Sequence, residues 1–333
     1  MPPLPRSLGV SLFAAAALAA SLSAFADELR VGEDEEFWTP SEAANYAKAG
    51  DTIVIREGRY EDCAVWRAND LVIRAEGEGA EIHGQVCQKK ALWVTRGHGI
   101  TIENITFTGA KAPDGNGAGI RAEGRDLTVR NSRFVDNQGA ILGIERPRSE
   151  VIIEGSTFLR NGQCERGCAH AIYFNEIALL RIVDSEFRET RVTHNIKSQA
   201  RRTEVIDSII VDGDNGSSSY VVDLSFGGDA EIRGNRIHKG KNSDNQKAAV
   251  AVAAQGARYN THRILLADNS FESDAPGSAA LVYNFDPDRI DKETIILRNN
   301  KISGNAKALE GPGTVEGACM WSWLPVFGSK LCE

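Results

Sequence analysis

Val129-Arg-Asn-Ser-Arg-Phe134, Ile153-Glu-Gly-Ser-Thr-Phe158 and Ile182-Val-Asp-Ser-Glu-Phe187 are three versions of one six-residue phrase. Each opens on an aliphatic residue, closes on Phe, and carries a small or polar pair in the middle. With Ile also allowed at the close, the phrase recurs as Ile102-Glu-Asn-Ile-Thr-Phe107, Val205-Ile-Asp-Ser-Ile-Ile210, Ile232-Arg-Gly-Asn-Arg-Ile237, Leu266-Ala-Asp-Asn-Ser-Phe271 and Leu297-Arg-Asn-Asn-Lys-Ile302. Ile105 is the one exception within the pair. Successive starts lie 27, 24, 29, 23, 27, 34 and 31 residues apart. Self-similarity at such a period marks a stacked repeat architecture.

Each unit is too short to bury a core alone, and its apolar residues alternate as in a strand before breaking at Asn, Asp, Ser or Gly. A coil of short strands, hiding its apolar side against the next coil, meets both conditions. The expected fold is therefore all-β, a parallel β-helix, with Asn and Ser at equivalent turns forming hydrogen-bonded ladders. A leucine-rich solenoid would need a Leu-x-x-Leu-x-Leu consensus, which is absent. Thr39-Pro-Ser-Glu42 supplies a capping residue, a first-turn proline and a Glu three residues on, predicting a short N-terminal helix that covers the first coil.

The eight repeats, with Ala49-Gly-Asp-Thr-Ile-Val-Ile-Arg-Glu-Gly-Arg-Tyr60, resemble the pectin-lyase-like superfamily over residues 38–305. That resemblance implies a single-stranded right-handed parallel β-helix and a polysaccharide partner. It implies Lys or Arg in catalytic roles where the member is a lyase, and it makes calcium a candidate cofactor. Asp212-Gly-Asp-Asn-Gly216 offers hard oxygen ligands, but Ser217 stands where an EF-hand needs Gly, and Asp223 where it prefers Glu. The stretch reads first as a turn, and no metal ligand set is assigned.

Composition bounds the function. The 333 residues carry a formal charge of −8, which argues against a general electrostatic grip on nucleic acid or anionic membrane. Only two Met beside 32 Gly point away from a helical bundle. Arg6, the apolar run Leu8–Leu22 and Ala24-Phe25-Ala26 read as a secretory signal, residues 1–26, cleaved after Ala26. The run is shorter than a membrane span, so no membrane insertion is expected once it is removed. The β-helix is assigned to 27–310 and a disulfide-clipped cap to 311–333, in a secreted or periplasmic protein expected to be a monomer. Six Cys in an exported chain favour disulfides, with spacing suggesting Cys63–Cys87, Cys164–Cys168 and Cys319–Cys332. Zinc on Cys164, Cys168 and His170 lacks a second closely spaced pair. Trp321 and Trp323 read as part of the cap, with sugar stacking as the alternative.

A second strand lies roughly nine residues before each phrase. With Ile120, Ile144, Ile172, Ile196 and Val222 inward, Arg121, Glu145, Tyr173, Lys197 and Asp223 form an outward column about 4.8 Å apart per coil. His170, His194 and Tyr220 align two residues earlier, and Asn175 ends its strand. Such a groove suits a linear acidic polymer, although outward strand positions are polar in any β-helix. Glu145 and Asp223 are expected three steps apart, about 14 Å, too far for a hydrolytic carboxylate pair. β-Elimination instead asks for a base and a cation. Lys197 is the expected base, His194 and Tyr173 its assistants, and Arg201 (or Arg202) the partner of the substrate carboxylate. Arg121, Glu145, His170, Asn175, Tyr220 and Asp223 are expected to bind substrate. An epimerase would use the same groups; a hydrolase and a non-catalytic carbohydrate-binding protein are the rival readings. No Gly-x-Ser-x-Gly elbow, phosphate loop or dinucleotide fingerprint is present.

Overall fold

In each phrase the first residue faces one sheet's interior and the last faces another's. The polar pair between them makes the bend. A computed structural model describes residues 26–317 and the backbone of 319–320 and 331–332. Its strands form three parallel sheets of twelve, twelve and ten strands, each coil visiting all three in turn. The first sheet holds the phrase openings, so that Ile102, Val129, Ile153, Ile182, Val205 and Ile232 pair in register. The second sheet holds the closings: Phe107, Phe134, Phe158 and Phe187 pair in turn. Their rings stack 4.4–5.1 Å apart inside the solenoid. All four are wholly buried, which is the hydrophobic term that drives coil onto coil.

The bend has a backbone cause. The third residue of the phrase lies in the left-handed region in every repeat, from Asn131 at φ 47° to Gly234 at φ 70°. Gly, Asn and Asp tolerate that region best, which is why they alternate there. The fourth residue builds the expected ladder. Ser132 N–H donates to Ser156 Oγ, Ser156 N–H to Ser185 Oγ, and Ser185 N–H to Ser208 Oγ. The chain continues through Asn235, Asn269 and Asn300.

The helix Pro40–Tyr46 is present with its capping box, and it buries Pro40, Ala43 and Ala44. Disulfides join Cys63 to Cys87 and Cys164 to Cys168. The backbone of Cys319 pairs antiparallel with that of Cys332. Their side chains, the Trp321–Trp323 segment and residues 1–25, which the sequence reads as a signal, lie outside the described residues. No helix among the described residues is long and apolar enough to cross a membrane.

Candidate active site on the third sheet

The third sheet carries the short strands Ala118–Ala122, Gly139–Gly143, Ile172–Phe174, Ile196–Ser198, Val222–Leu224 and Ala248–Val252. Its register brings Tyr173 beside Lys197 and Lys197 beside Asp223, as the alternation predicts. Arg121 joins the same column two coils before Tyr173. Glu145 does not. The inward residue of its coil is Ile141 rather than Ile144, so Leu142 occupies the column position between Arg121 and Tyr173. Glu145 follows the strand and is exposed on the turn. Because the strand ends at Gly143, alternation no longer sets the direction of Glu145.

His170, His194 and Tyr220 form the second column. The imidazoles stack 4.6 Å apart, and His194 lies 5.1 Å from the Tyr220 ring. Each ring is held by the backbone of the next coil: His194 N–H donates to His170 Nδ1, and Tyr220 N–H donates to His194 Nδ1, both at 3.1 Å. An Nδ1 that accepts leaves the ring proton on Nε2. Burial, reinforced by Lys197 and then Lys239, pushes the His194 pKa down to about 3. Burial, then His194 and Lys197, takes His170 to about 2. Both rings are therefore neutral donors through Nε2 at ordinary pH. His194 is not built to serve as a base.

His194 Nε2 lies 3.6 Å from Asp223 Oδ2, and Ser225 Oγ donates to that same oxygen at 2.7 Å. Asp223 Oδ1 is buried with no partner. Burial pushes this carboxyl up to about 6, against the pull of Ser225 and Lys197. Lys197 Nζ lies 5.0 Å from the centroid of the Tyr173 ring, a cation–π distance. Among the described residues no carboxylate stands within ion-pair distance of Lys197, so the side chain is not consumed by Asp223. The Tyr173 hydroxyl donates to Asn175 Oδ1 at 3.0 Å, and Asn175 Nδ2 donates to Gly143 O at 2.9 Å. Burial, and then Asp223, raises the Tyr173 phenol above its ordinary value.

Turns on either side raise the groove walls. The 253–263 turn folds back over earlier coils: the Tyr259 hydroxyl donates to Gln199 O at 2.7 Å, and Arg258 pairs with Glu176 at 3.5 Å. Arg201 belongs to this wall, its guanidinium 5.2 Å from the Tyr259 centroid, rather than to the column. Two features went unread in the sequence. Tyr283 and Phe285 stack at 4.0 Å, with Phe285 reaching Tyr220 at 6.0 Å. Lys239, wholly buried, donates from Nζ to Ser219 O beneath the His194 column. Its signal was present, since Ile237 faces inward and Lys239 shares its parity.

The Asp212–Gly216 stretch fits calcium poorly. Asp212 Oδ2 already accepts from Gly240 N–H and Ser243 Oγ, its Oδ1 from Ser218 N–H, and Gly216 N–H closes the turn on Asp212 O. No group of three or more His, Cys, Asp or Glu among the described residues is arranged to hold a metal ion.

Residues 53–210 match the family described as "Right handed beta helix region". The chain is a right-handed parallel β-helix. This β-helix is similar to the alginate lyase of Paenibacillus sp. str. FPU-7, at 16% identity over 88% of this chain and 99% of that one, with a TM-score of 0.52. It is also similar to ORF18 of Geobacillus virus E2, at 13% identity over 87% of this chain and 58% of that one, TM-score 0.46. Pectin methylesterase PemA from Erwinia chrysanthemi matches at 10% identity over 91% of each chain, TM-score 0.40. No curated protein matches the sequence. At these identities the likeness is one of fold, and function rests with the β-helix's own side chains.

Proposed function

We propose that this exported β-helix cleaves a uronic-acid polysaccharide by β-elimination, with Lys197 as the base. The observation that carries the reading is the setting of Lys197: an outward lysine without an ion-pair partner, in register between a protonated phenol and a buried carboxyl. In the reaction, Lys197 Nζ, once its own proton has passed to solvent, takes the proton at C5 of the uronate. Its electron pair forms the C4–C5 double bond, the C4–O bond breaks, and Tyr173 gives its proton to the departing oxygen. His194 Nε2–H, 3.6 Å from Asp223 Oδ2 and partly exposed, is the neutral donor placed to meet the substrate carboxylate where negative charge develops. Arg201, on the rim over Tyr259, meets the polymer rather than the reacting residue. The stacked Tyr283 and Phe285 offer a face for a sugar ring.

Hydrolysis is less well supported, because it needs two nearby carboxyls and Asp223 is the one carboxylate of the column between Arg121 and Tyr283. The disulfides Cys63–Cys87 and Cys164–Cys168 and the N-terminal apolar segment support export. A C5-epimerase would share the base and differ only in keeping the C4–O bond.

The test is ultraviolet absorbance of unsaturated uronate released from alginate and from polygalacturonate. Wild type is expected to produce it on one of the two, and Lys197→Ala to lose about a thousandfold in rate. Full activity in Lys197→Ala would falsify the assignment. New reducing ends without unsaturation would identify a hydrolase, and binding without any change in the polymer a non-catalytic protein.

A further inference from the structure

A pocket of about 310 Å³ opens beside the proposed cleavage centre, with Arg121, His170, Tyr173 and Asn175 on the sheet side and Asp114 and Cys168 on the loop side. It exists because the second column is interrupted: Gly139, which also lines it, stands two residues before Ile141 as His170 stands two before Ile172. The loop wall is a built one. Gln163 Nε2 donates to Gly115 O and to Gly167 O, and Arg166 donates to Pro113 O, clasping the 110–117 loop to the segment clipped by Cys164–Cys168.

Two observations say what the pocket takes. The Nε of Arg121 is buried with no hydrogen-bond partner, and among the described residues no carboxylate lies within ion-pair distance of this guanidinium. A guanidinium that lines a pocket without a carboxylate partner calls for a planar anion. The groove is also closed just beyond it. Ala91, Val94 and Ala118, the outward residues on the N-terminal side, are wholly buried against Val65 and Cys87. Cys63–Cys87 anchors that cover, and Lys90 and Arg96 both grip Glu123 across it.

Resting on the elimination reading, we propose that this pocket receives the end of the polymer, Arg121 pairing with the carboxylate of the terminal uronic acid. Arg121 and Lys197 are three coils apart in the register, about 14 Å. A pyranose unit of an extended chain covers about one coil step, so about two or three units fit between the closed end and the base. The enzyme then trims short pieces from a chain end instead of cutting at random.

Two measurements separate this inference from the chemistry it rests on. In the first, the inactive Lys197→Ala protein is titrated calorimetrically with saturated alginate and galacturonate trisaccharides. One of the two is expected to bind, at least about tenfold more weakly when Arg121→Met is added. Asp114→Asn, which removes the pocket's own negative charge while keeping an oxygen to accept from Asn116 N–H, is expected to bind about two- to threefold more tightly. Unchanged affinity in the Arg121 variant, or weaker binding in the Asp114 variant, overturns the pocket assignment, and this arm needs no catalysis. In the second, wild-type products are sized at early times. Unsaturated dimers and trimers with slowly falling viscosity are expected; long unsaturated oligomers would uphold elimination and sink the chain-end pocket alone.

Discussion

Lys239 and His194 hold opposite ends of one peptide group. The Ser219 carbonyl accepts from Lys239 Nζ, and the Tyr220 N–H of that same peptide donates to His194 Nδ1. A carbonyl drawn toward an ammonium polarises its own N–H, strengthening the bond on the far side. The buried lysine thereby helps fix the His194 tautomer from beneath, with Nε2–H aimed toward Asp223. Burial lowers the Lys239 pKa to about 8, with Asp212 and Asp244 opposing the shift. Lys239→Met removes the pull while filling the same space. Its expected effect is about a tenfold fall in kcat with KM nearly constant, and a mixed tautomer signal for His194 in nitrogen-15 spectra. A single unchanged tautomer would show that the lysine only fills space.

Tyr173→Phe keeps the ring over which Lys197 lies and removes only the hydroxyl that donates to Asn175. If the phenol protonates the departing oxygen, kcat falls about a hundred- to a thousandfold. The near-ultraviolet spectrum and trisaccharide affinity should hardly change. A substrate with a good leaving group, which does not need that proton, should recover much of the loss. Equal loss on both substrates would place Tyr173 outside proton transfer.

The framework was legible because repetition made it so. Phe134 and Phe158 stack because one position recurs, and Asn131 and Gly155 interchange because a left-handed bend admits both. Lys197 and Asp223 followed from period-two alternation on strands whose inward residue was unambiguous. At Glu145 that rule failed, since Gly139-Ala-Ile-Leu142 and Gly143-Ile-Glu-Arg146 both read as strand entries and only packing chooses between them. The pocket walls were not legible at all. Asp114 and Cys168 lie on insertions outside the repeat, where nothing in the alternation says which way a loop folds.

Acid should unfold the protein by charging its histidines. His170 and His194 have folded pKa values near 2 and 3, well below the unfolded 6.5. Their contribution is complete above pH 6.5 and declines as pH falls toward those values, about 1.4 kcal/mol per pH unit for each ring. Asp223 has the opposite sign: raised to about 6 from 3.8, it gains stability as pH falls through that window. Together the three groups cost about 1.4 kcal/mol per unit between pH 6 and 4. Urea denaturation across that range checks the slope, and Asp223→Asn should about double it. A slope unaltered by that substitution would mean that the carboxyl titrates alike in the folded and unfolded chains.

Asn235 joins the serine half of the ladder to the asparagine half. Its Oδ1 accepts from Ser208 N–H, its Nδ2 donates to Val205 O and Asn269 Oδ1, and its own N–H also donates to Asn269 Oδ1. The residue is 1% exposed, so water cannot replace what a substitution removes. Asn235→Ala strands the Ser208 N–H and leaves the Val205 carbonyl without its side-chain donor, a loss of about 2–4 kcal/mol. Asn235→Ser should cost less, because Ser132, Ser156, Ser185 and Ser208 show that a hydroxyl at this position accepts the same backbone N–H. Urea midpoints in the order wild type, Ser, Ala would bear this out. Equal midpoints for Ser and Ala would mean that packing, rather than the accepted hydrogen bond, sets the stability of the bend.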